Sequence, residues 1–177
     1  REFAFENFEC FREDKLKWEK EKIKESAIKE IRTDCTFRIT ASDIAKDAVS
    51  LTRANIERAC ILAGRIMSSY GMSSHIVRPE VFASDFNELI PPYENGVLLS
   101  NPPYGVRLLE EESVRELYKD IAKRVRLFEG WKLGFITNTE EFATLCQREN
   151  KHAIIKKHAI KTGNMQMYLY IIEEEKR

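Results

Sequence analysis

The segment Asn101-Pro102-Pro103-Tyr104-Gly105 holds the residues whose types and spacing could do chemistry together. Pro102 and Pro103 have no N–H and a fixed φ, so the segment is stiff and its carbonyls are free to accept hydrogen bonds. An exocyclic amine on a ring carries two N–H donors. The Asn101 side-chain oxygen and the Pro102 carbonyl can accept one each. That arrangement holds the nitrogen and lets its lone pair point at an electrophilic methyl group. The amine attacks neutral and sheds its proton afterwards, so catalysis is mainly positioning and electrostatics. Tyr104 offers a flat face for stacking a base, and Gly105 lets the backbone pass close to a ligand. A plain proline-rich turn would need only Pro and Gly, which leaves Asn and Tyr unexplained.

Such a loop must be presented by a strand end, and the pattern supplies one. The apolar run 97–100 leads straight into Asn101 and predicts a strand. Before it, 13–32 reads as a charged helix with a narrow stripe of Leu16, Ile23, Ala27 and Ile31. Residues 37–41 read as a strand ending at Ser42-Asp43, and 45–63 as a helix with Ala48, Leu51, Ala59 and Leu62 on one face. Residues 64–78 read as a loop with one helical turn, and 81–83 as a short strand ending at Asp85. Ser113 and Glu116 have capping-box spacing at the head of an amphipathic helix through Val114, Leu117, Tyr118, Ile121 and Val125. A strand over 132–136 and a helix over 140–147 follow. Two strands, 153–161 and 165–172, joined through Thr162-Gly163-Asn164, form a terminal hairpin. The alternation predicts an α/β fold with a mostly parallel sheet and helices on both faces.

Composition narrows the function classes. Lys plus Arg and Asp plus Glu are both 29, so no overall basic field holds a polynucleotide. A nucleic-acid substrate would need a local patch or another domain for its phosphates. No apolar run approaches the roughly 20 residues of a membrane span. Cys10, Cys35, Cys60 and Cys146 lie far apart and form no C-x-x-C pair, which suits free thiols in a reducing cytoplasm and no metal site. Arg1-Glu2-Phe3 has no initiator Met and no signal-like core, and reads as an internal start.

The 101–105 segment resembles motif IV of the class I S-adenosylmethionine-dependent methyltransferases that act on amino groups. Ile39-Thr40-Ala41-Ser42-Asp43-Ile44 resembles their second motif. The resemblance implies that Asp43 binds the ribose hydroxyls of the cofactor and Ile44 contacts its adenine. Asp43 would serve equally as the N-cap of the helix that follows. Ala83-Ser84-Asp85-Phe86 resembles the third motif, in which Asp85 accepts from the adenine amino group and Phe86 packs nearby. Asn101 borders the cofactor as well as the amine.

Within that superfamily the chain is most similar to THUMP-associated RNA guanine-N2 methyltransferases, including those of large-subunit ribosomal RNA. Members have often been labelled N6-adenine-specific DNA methylases. The similarity rests on Phe3-Ala4-Phe5-Glu6-Asn7-Phe8, the extended segment 101–108 with Arg107, Gly130-Trp131 before a strand, and Asn164 before the last strand. It implies a Rossmann-like sheet with a C-terminal antiparallel hairpin and S-adenosylmethionine as cofactor. Methyl transfer to guanine N2 of ribosomal RNA would use Asn101, Pro102, Pro103 and Tyr104 for chemistry, with Tyr104, Gly105 and Arg107 on the substrate. N6-adenine methylation of DNA or RNA fits the same loop, and protein-glutamine methylation fits it less closely. The chain would be the C-terminal portion of the catalytic domain, with 1–33 a helical lead-in and 34–177 the core from the second motif onward.

One departure stands against a complete site. No glycine-rich loop follows a first strand. The resemblance places that loop, its strand and an RNA-binding THUMP domain before Arg1, in a longer cytoplasmic protein. The isolated chain is then expected to bind cofactor poorly, as a catalytically incomplete fragment or binding module would. In the family's sheet the absent strand lies between the strands ending at Asp43 and at Asn101. Those two must either pair directly or take a strand from elsewhere between them.

Overall fold

The computed structural model describes residues 9, 14–32, 34, 36–72, 76–103, 111–163 and 165–174. The elements fall into two compact units, Arg1–Phe82 and Ala83–Arg177.

The first unit holds α1 (Asp14–Lys29), β1 (Thr40–Asp43), α2 (Lys46–Ser69) and most of β2 (Glu80–Ala83). β1 and β2 form a two-stranded sheet. β1 starts three residues later than expected, and Phe37 and Ile39 ahead of it are exposed. On α1 the buried residue is Ile28, whereas Ile23 of the expected stripe is 69% exposed. α2 continues through Gly64 to Ser69, where the sequence suggested a loop. Burial of Met67 outweighs the roughly 1 kcal/mol helix cost of Gly64. The buried residues of α2 are Val49 and Met67, while Leu51 and Leu62 of the expected apolar face are exposed. Arg53 ties the helix to β2, its Nε and Nη2 donating to the Val81 carbonyl at 3.0 and 2.5 Å.

The second unit contains β3 (Gly96–Ser100), α3 (Glu111–Val125), β4 (Trp131–Thr137), α4 (Glu141–Glu149), β5 (Ala153–Thr162) and β6 (Met165–Glu174). Its sheet has the order β3-β4-β6-β5. β3 and β4 are parallel, with Gly96 opposite Trp131 and Ser100 opposite Phe135. β6 runs antiparallel to both β4 and β5. A mostly parallel sheet was expected, yet only β3 with β4 is parallel in this one. Parallel pairing needs a crossover, which α3 provides, whereas the hairpin reverses in a few residues and lays β6 against β4.

α3 is amphipathic. Val114, Tyr118, Ile121, Ala122 and Val125 recur at helical spacing and are all buried. The helix starts at Glu111, so Ser113 lies inside the first turn and not at the cap that its spacing to Glu116 suggested. Phe142 of α4 is fully buried among Phe135, Tyr118 and Tyr170, with ring centroids 5.2, 5.4 and 5.8 Å away in edge contacts. Edge-to-face pairs of this kind add about 0.5–1.5 kcal/mol each beyond area burial. Two glycines are required by position. Gly130 has φ +78°, and a Cβ there would lie 2.7 Å from the Glu94 carbonyl oxygen. A Cβ on Gly96 would meet the Trp131 ring at 2.7 Å, so the bare backbone of β3 makes room for its cross-strand neighbour.

Among the described residues the fold is mixed α/β, with parallel and antiparallel strand pairs and four α-helices. None of these helices is long and apolar enough to cross a membrane.

Candidate active site

β3 delivers Asn101 to the carboxyl end of the sheet. The ladder with β4 ends at Ser100 opposite Phe135. Asn101 and Pro103 are exposed, and Pro102 between them is buried. A proline cannot donate to a ladder, so the strand stops there and the loop is pinned at its buried ring. Tyr104, Gly105 and Arg107 lie outside the described residues, as do 3–8 and Asn164. The chain is described again from α3. Arg115 in its first turn donates from Nη2 to both carboxylate oxygens of Glu141, at 3.0 and 3.2 Å. Glu141 opens α4. The N-terminal part of α3 is therefore tied to the start of α4.

The turn after β4, Asn138-Thr139-Glu140, is braced from several sides. Thr137 is fully buried, and its Oγ1 lies 2.6 Å from the Tyr118 hydroxyl. The same oxygen accepts the Thr139 N–H at 3.2 Å. The Tyr170 hydroxyl donates to the Thr139 carbonyl at 3.3 Å. Burial pushes the Tyr170 phenol up to about 12, helped by the Glu140 charge, so it remains a donor. Beside it the Tyr168 hydroxyl donates to Glu140 Oε1 at 2.5 Å, and Lys157 Nζ lies 3.0 Å from that oxygen. The Tyr168 hydrogen bond, then the Lys157 ammonium, hold the Glu140 carboxyl below its ordinary value. Sequence reasoning missed this cluster. The spacing of Tyr168 and Tyr170 puts both on one face of β6, but nothing in the order of residues says that this face meets Glu140.

The residues expected to hold cofactor are distributed over both units. Asp43 ends β1 and is exposed. Its Oδ1 accepts the Ala45 N–H at 2.8 Å, and the N-cap of α2 is Ala45 itself, with no side-chain cap. Asp43 therefore makes a turn ahead of the helix and does not cap it. Among the described residues its Oδ2 has no partner. A carboxylate with an uncommitted oxygen, beside an Ile44 that is 72% exposed, fits a ribose diol next to an adenine ring. Asp85 and Phe86 lie in the second unit with Asn101. Asp85 Oδ1 accepts the Asn87 N–H at 2.8 Å and caps a single 3₁₀ turn, Phe86–Glu88. The Phe86 ring packs into the aromatic core, stacked on Phe128 at 6.5 Å and edge-on to Phe135 at 6.3 Å.

Known proteins resemble this chain in sequence and in fold. The ribosomal RNA large subunit methyltransferase K/L of Psychromonas ingrahamii is 31% identical over 121 residues, covering 66% of this chain and 14% of its own length. The crystal structure of SMU.472 complexed with SAH superposes on the whole chain and 41% of its own, with a TM-score of 0.72 and 22% identity. A possible methylase from Clostridium difficile 630 covers the same shares, with a TM-score of 0.71 and 24% identity. The chain thus spans about a seventh of that curated relative and two fifths of those solved chains. The family model described as "RMKL-like, methyltransferase domain" matches residues 2–167. With nearly its whole length matched, the chain belongs to the RMKL-like methyltransferase domain family.

Proposed function

We propose that this chain is the part of an S-adenosylmethionine-dependent RNA methyltransferase that grips the target amine, and that the target is guanine N2 in ribosomal RNA. The observation that carries the reading is Asn101-Pro102-Pro103 leaving the sheet where β3 and β4 end side by side. Ligands of open parallel strands bind at such carboxyl ends. The Asn101 oxygen and the Pro102 carbonyl accept the two amine hydrogens, and the buried Pro102 ring keeps both acceptors in place. Bound S-adenosylmethionine supplies an electrophilic methyl group. Asp43 takes the ribose hydroxyls and Ile44 lies against adenine, while Asp85 accepts from the adenine amino group. Tyr104 stacks on the target base, with Gly105 and Arg107 beside it. The neutral charge balance leaves phosphate binding to another part of the full-length protein, which works in the cytoplasm. The name of the Psychromonas relative, a ribosomal RNA methyltransferase, supports the substrate class.

The test is the identity of the modified nucleoside. Full-length protein is incubated with ribosomal RNA transcripts and methyl-labelled cofactor, and the digested RNA is separated by mass spectrometry. N2-methylguanosine is the expected product. N6-methyladenosine would replace this reading with the adenine one, and absence of transfer would favour a binding module.

A further inference from the structure

A carboxylate that selects an adenine amino group has to be held within about 0.5 Å of its place. Asp85 stands at the head of a single 3₁₀ turn, Phe86–Glu88, and such turns have poorly aligned hydrogen bonds. Two backbone bonds close it, from the Glu88 N–H to the Asp85 carbonyl at 3.0 Å and from the Leu89 N–H to the Phe86 carbonyl at 3.2 Å. A turn this short does not fix itself, so its hold comes from the elements packed around it.

Resting on the adenine role proposed above for Asp85, we infer that Arg124 of α3 is a positioning residue for the cofactor, acting through this turn. Its Nη2 donates to the Leu89 carbonyl at 2.6 Å. Leu89 is the C-cap of the turn and Asp85 its N-cap. The Phe86 ring is the other anchor, packed against Phe128 and Phe135 in the aromatic core. One anchor alone would let the turn rock about the Phe86 side chain, and the Arg124 bond at the far end removes that freedom. Within the fixed turn, Asp85 Oδ1 is committed to the Asn87 N–H at 2.8 Å, which orients the carboxylate. Among the described residues Oδ2 has no partner, so it is the oxygen left for the adenine amino group. Packing alone does not account for Arg124. Its Nε is buried with no acceptor among the described residues. A buried donor left unpaired is destabilising, and an apolar side chain of like length would fill the space without it. What the guanidinium adds is the Nη2 bond to the turn. All of these residues lie in one compact unit, Ala83–Arg177.

The experiment compares two ligands by calorimetry on the full-length protein. One is S-adenosylhomocysteine, and the other is its analogue with purine in place of adenine, which lacks only the amino group. Wild type is expected to bind the first more tightly by roughly tenfold or more, the usual worth of a hydrogen bond to a charged acceptor. Asp85→Ala should abolish that preference. Arg124→Met keeps the length of the stem and should bring the preference to within about threefold of unity, with little change in affinity for the purine analogue. Arg124→Lys still offers a donor to the Leu89 carbonyl and should stay within about threefold of the wild-type preference, and it carries the test if Arg124→Met does not fold. A side chain that merely braced the fold would, once removed, weaken both ligands by the same factor. That result, an unchanged preference in Arg124→Met, or a preference lost in Arg124→Lys would overturn the role of Arg124. No preference in wild type, or one that survives Asp85→Ala, would remove the adenine role of Asp85 and this inference with it, leaving the reading of Asn101 standing.

Discussion

The Tyr118 hydroxyl lies 2.6 Å from Thr137 Oγ1, joining the buried face of α3 to the carboxyl end of β4. The bond matters because Thr137 is the last residue of β4 and also accepts the Thr139 N–H. It sets the turn that begins one residue later. Thr137→Val keeps the shape and removes both interactions. Leaving buried polar groups short of a partner costs about 1–3 kcal/mol. Denaturant unfolding of the variant should show a loss of that size, and an unchanged midpoint would mean that the hydroxyl does not brace the turn.

Asn101 is expected to act on turnover and not on cofactor affinity. Asn101→Ala in the full-length protein should lower kcat by roughly a hundredfold or more, as removal of a transition-state hydrogen bond does. S-adenosylmethionine binding, followed by calorimetry, should change little. Near-normal turnover would end the argument built on motif IV.

Asp43 should show the opposite split. With Oδ1 engaged by Ala45 and Oδ2 available, Asp43→Ala should weaken S-adenosylmethionine binding by on the order of 1–3 kcal/mol. Unchanged affinity would leave Asp43 only its turn ahead of α2.

The Glu140 cluster makes a prediction about pH. The Tyr168 hydrogen bond is the largest cause of the lowered Glu140 pKa. Tyr168→Phe should therefore move that pKa up toward the ordinary carboxylate range, read by carboxyl-carbon NMR titration. Because the folded value lies below the unfolded one, the stabilisation from this cluster is present above the unfolded pKa. It is lost as pH falls through the folded value. A Glu140 titration unmoved by Tyr168→Phe would show that Lys157 alone holds the charge.

β3 closes its sheet at one edge, with Val97 64% and Leu99 78% exposed, and β1 belongs to a different sheet. Of the two arrangements the resemblance allowed, a further strand along β3 is the one predicted here. In the 177-residue chain alone the outer amides of β3 should exchange quickly, and in the full-length protein they should be protected. The same chain alone should bind S-adenosylmethionine poorly, since none of its described strands is followed by a glycine-rich turn. A micromolar dissociation constant for it would show that the cofactor site has been misplaced.

The residue order determined a good deal of this protein. Proline and asparagine chemistry marked 101–103, and apolar runs marked β3 and β4. The spacing of Val114, Tyr118, Ile121 and Val125 marked α3, and the break at 162–164 marked the hairpin. Each is a local property, set by a backbone restriction or by a period of two or 3.6 residues. What order could not determine was partnership. Helix α2 passes through Gly64 because Met67 is buried, and Asp43 forms a turn because Ala45 offers the nearest free N–H. Tyr168 reaches Glu140, 28 positions away, only because β6 folds back antiparallel onto β4 and brings Tyr168 opposite Thr137. Which strand lies beside which is decided by the packing of whole faces around Phe135, Phe142 and Tyr170, and that packing exists only once the chain has folded.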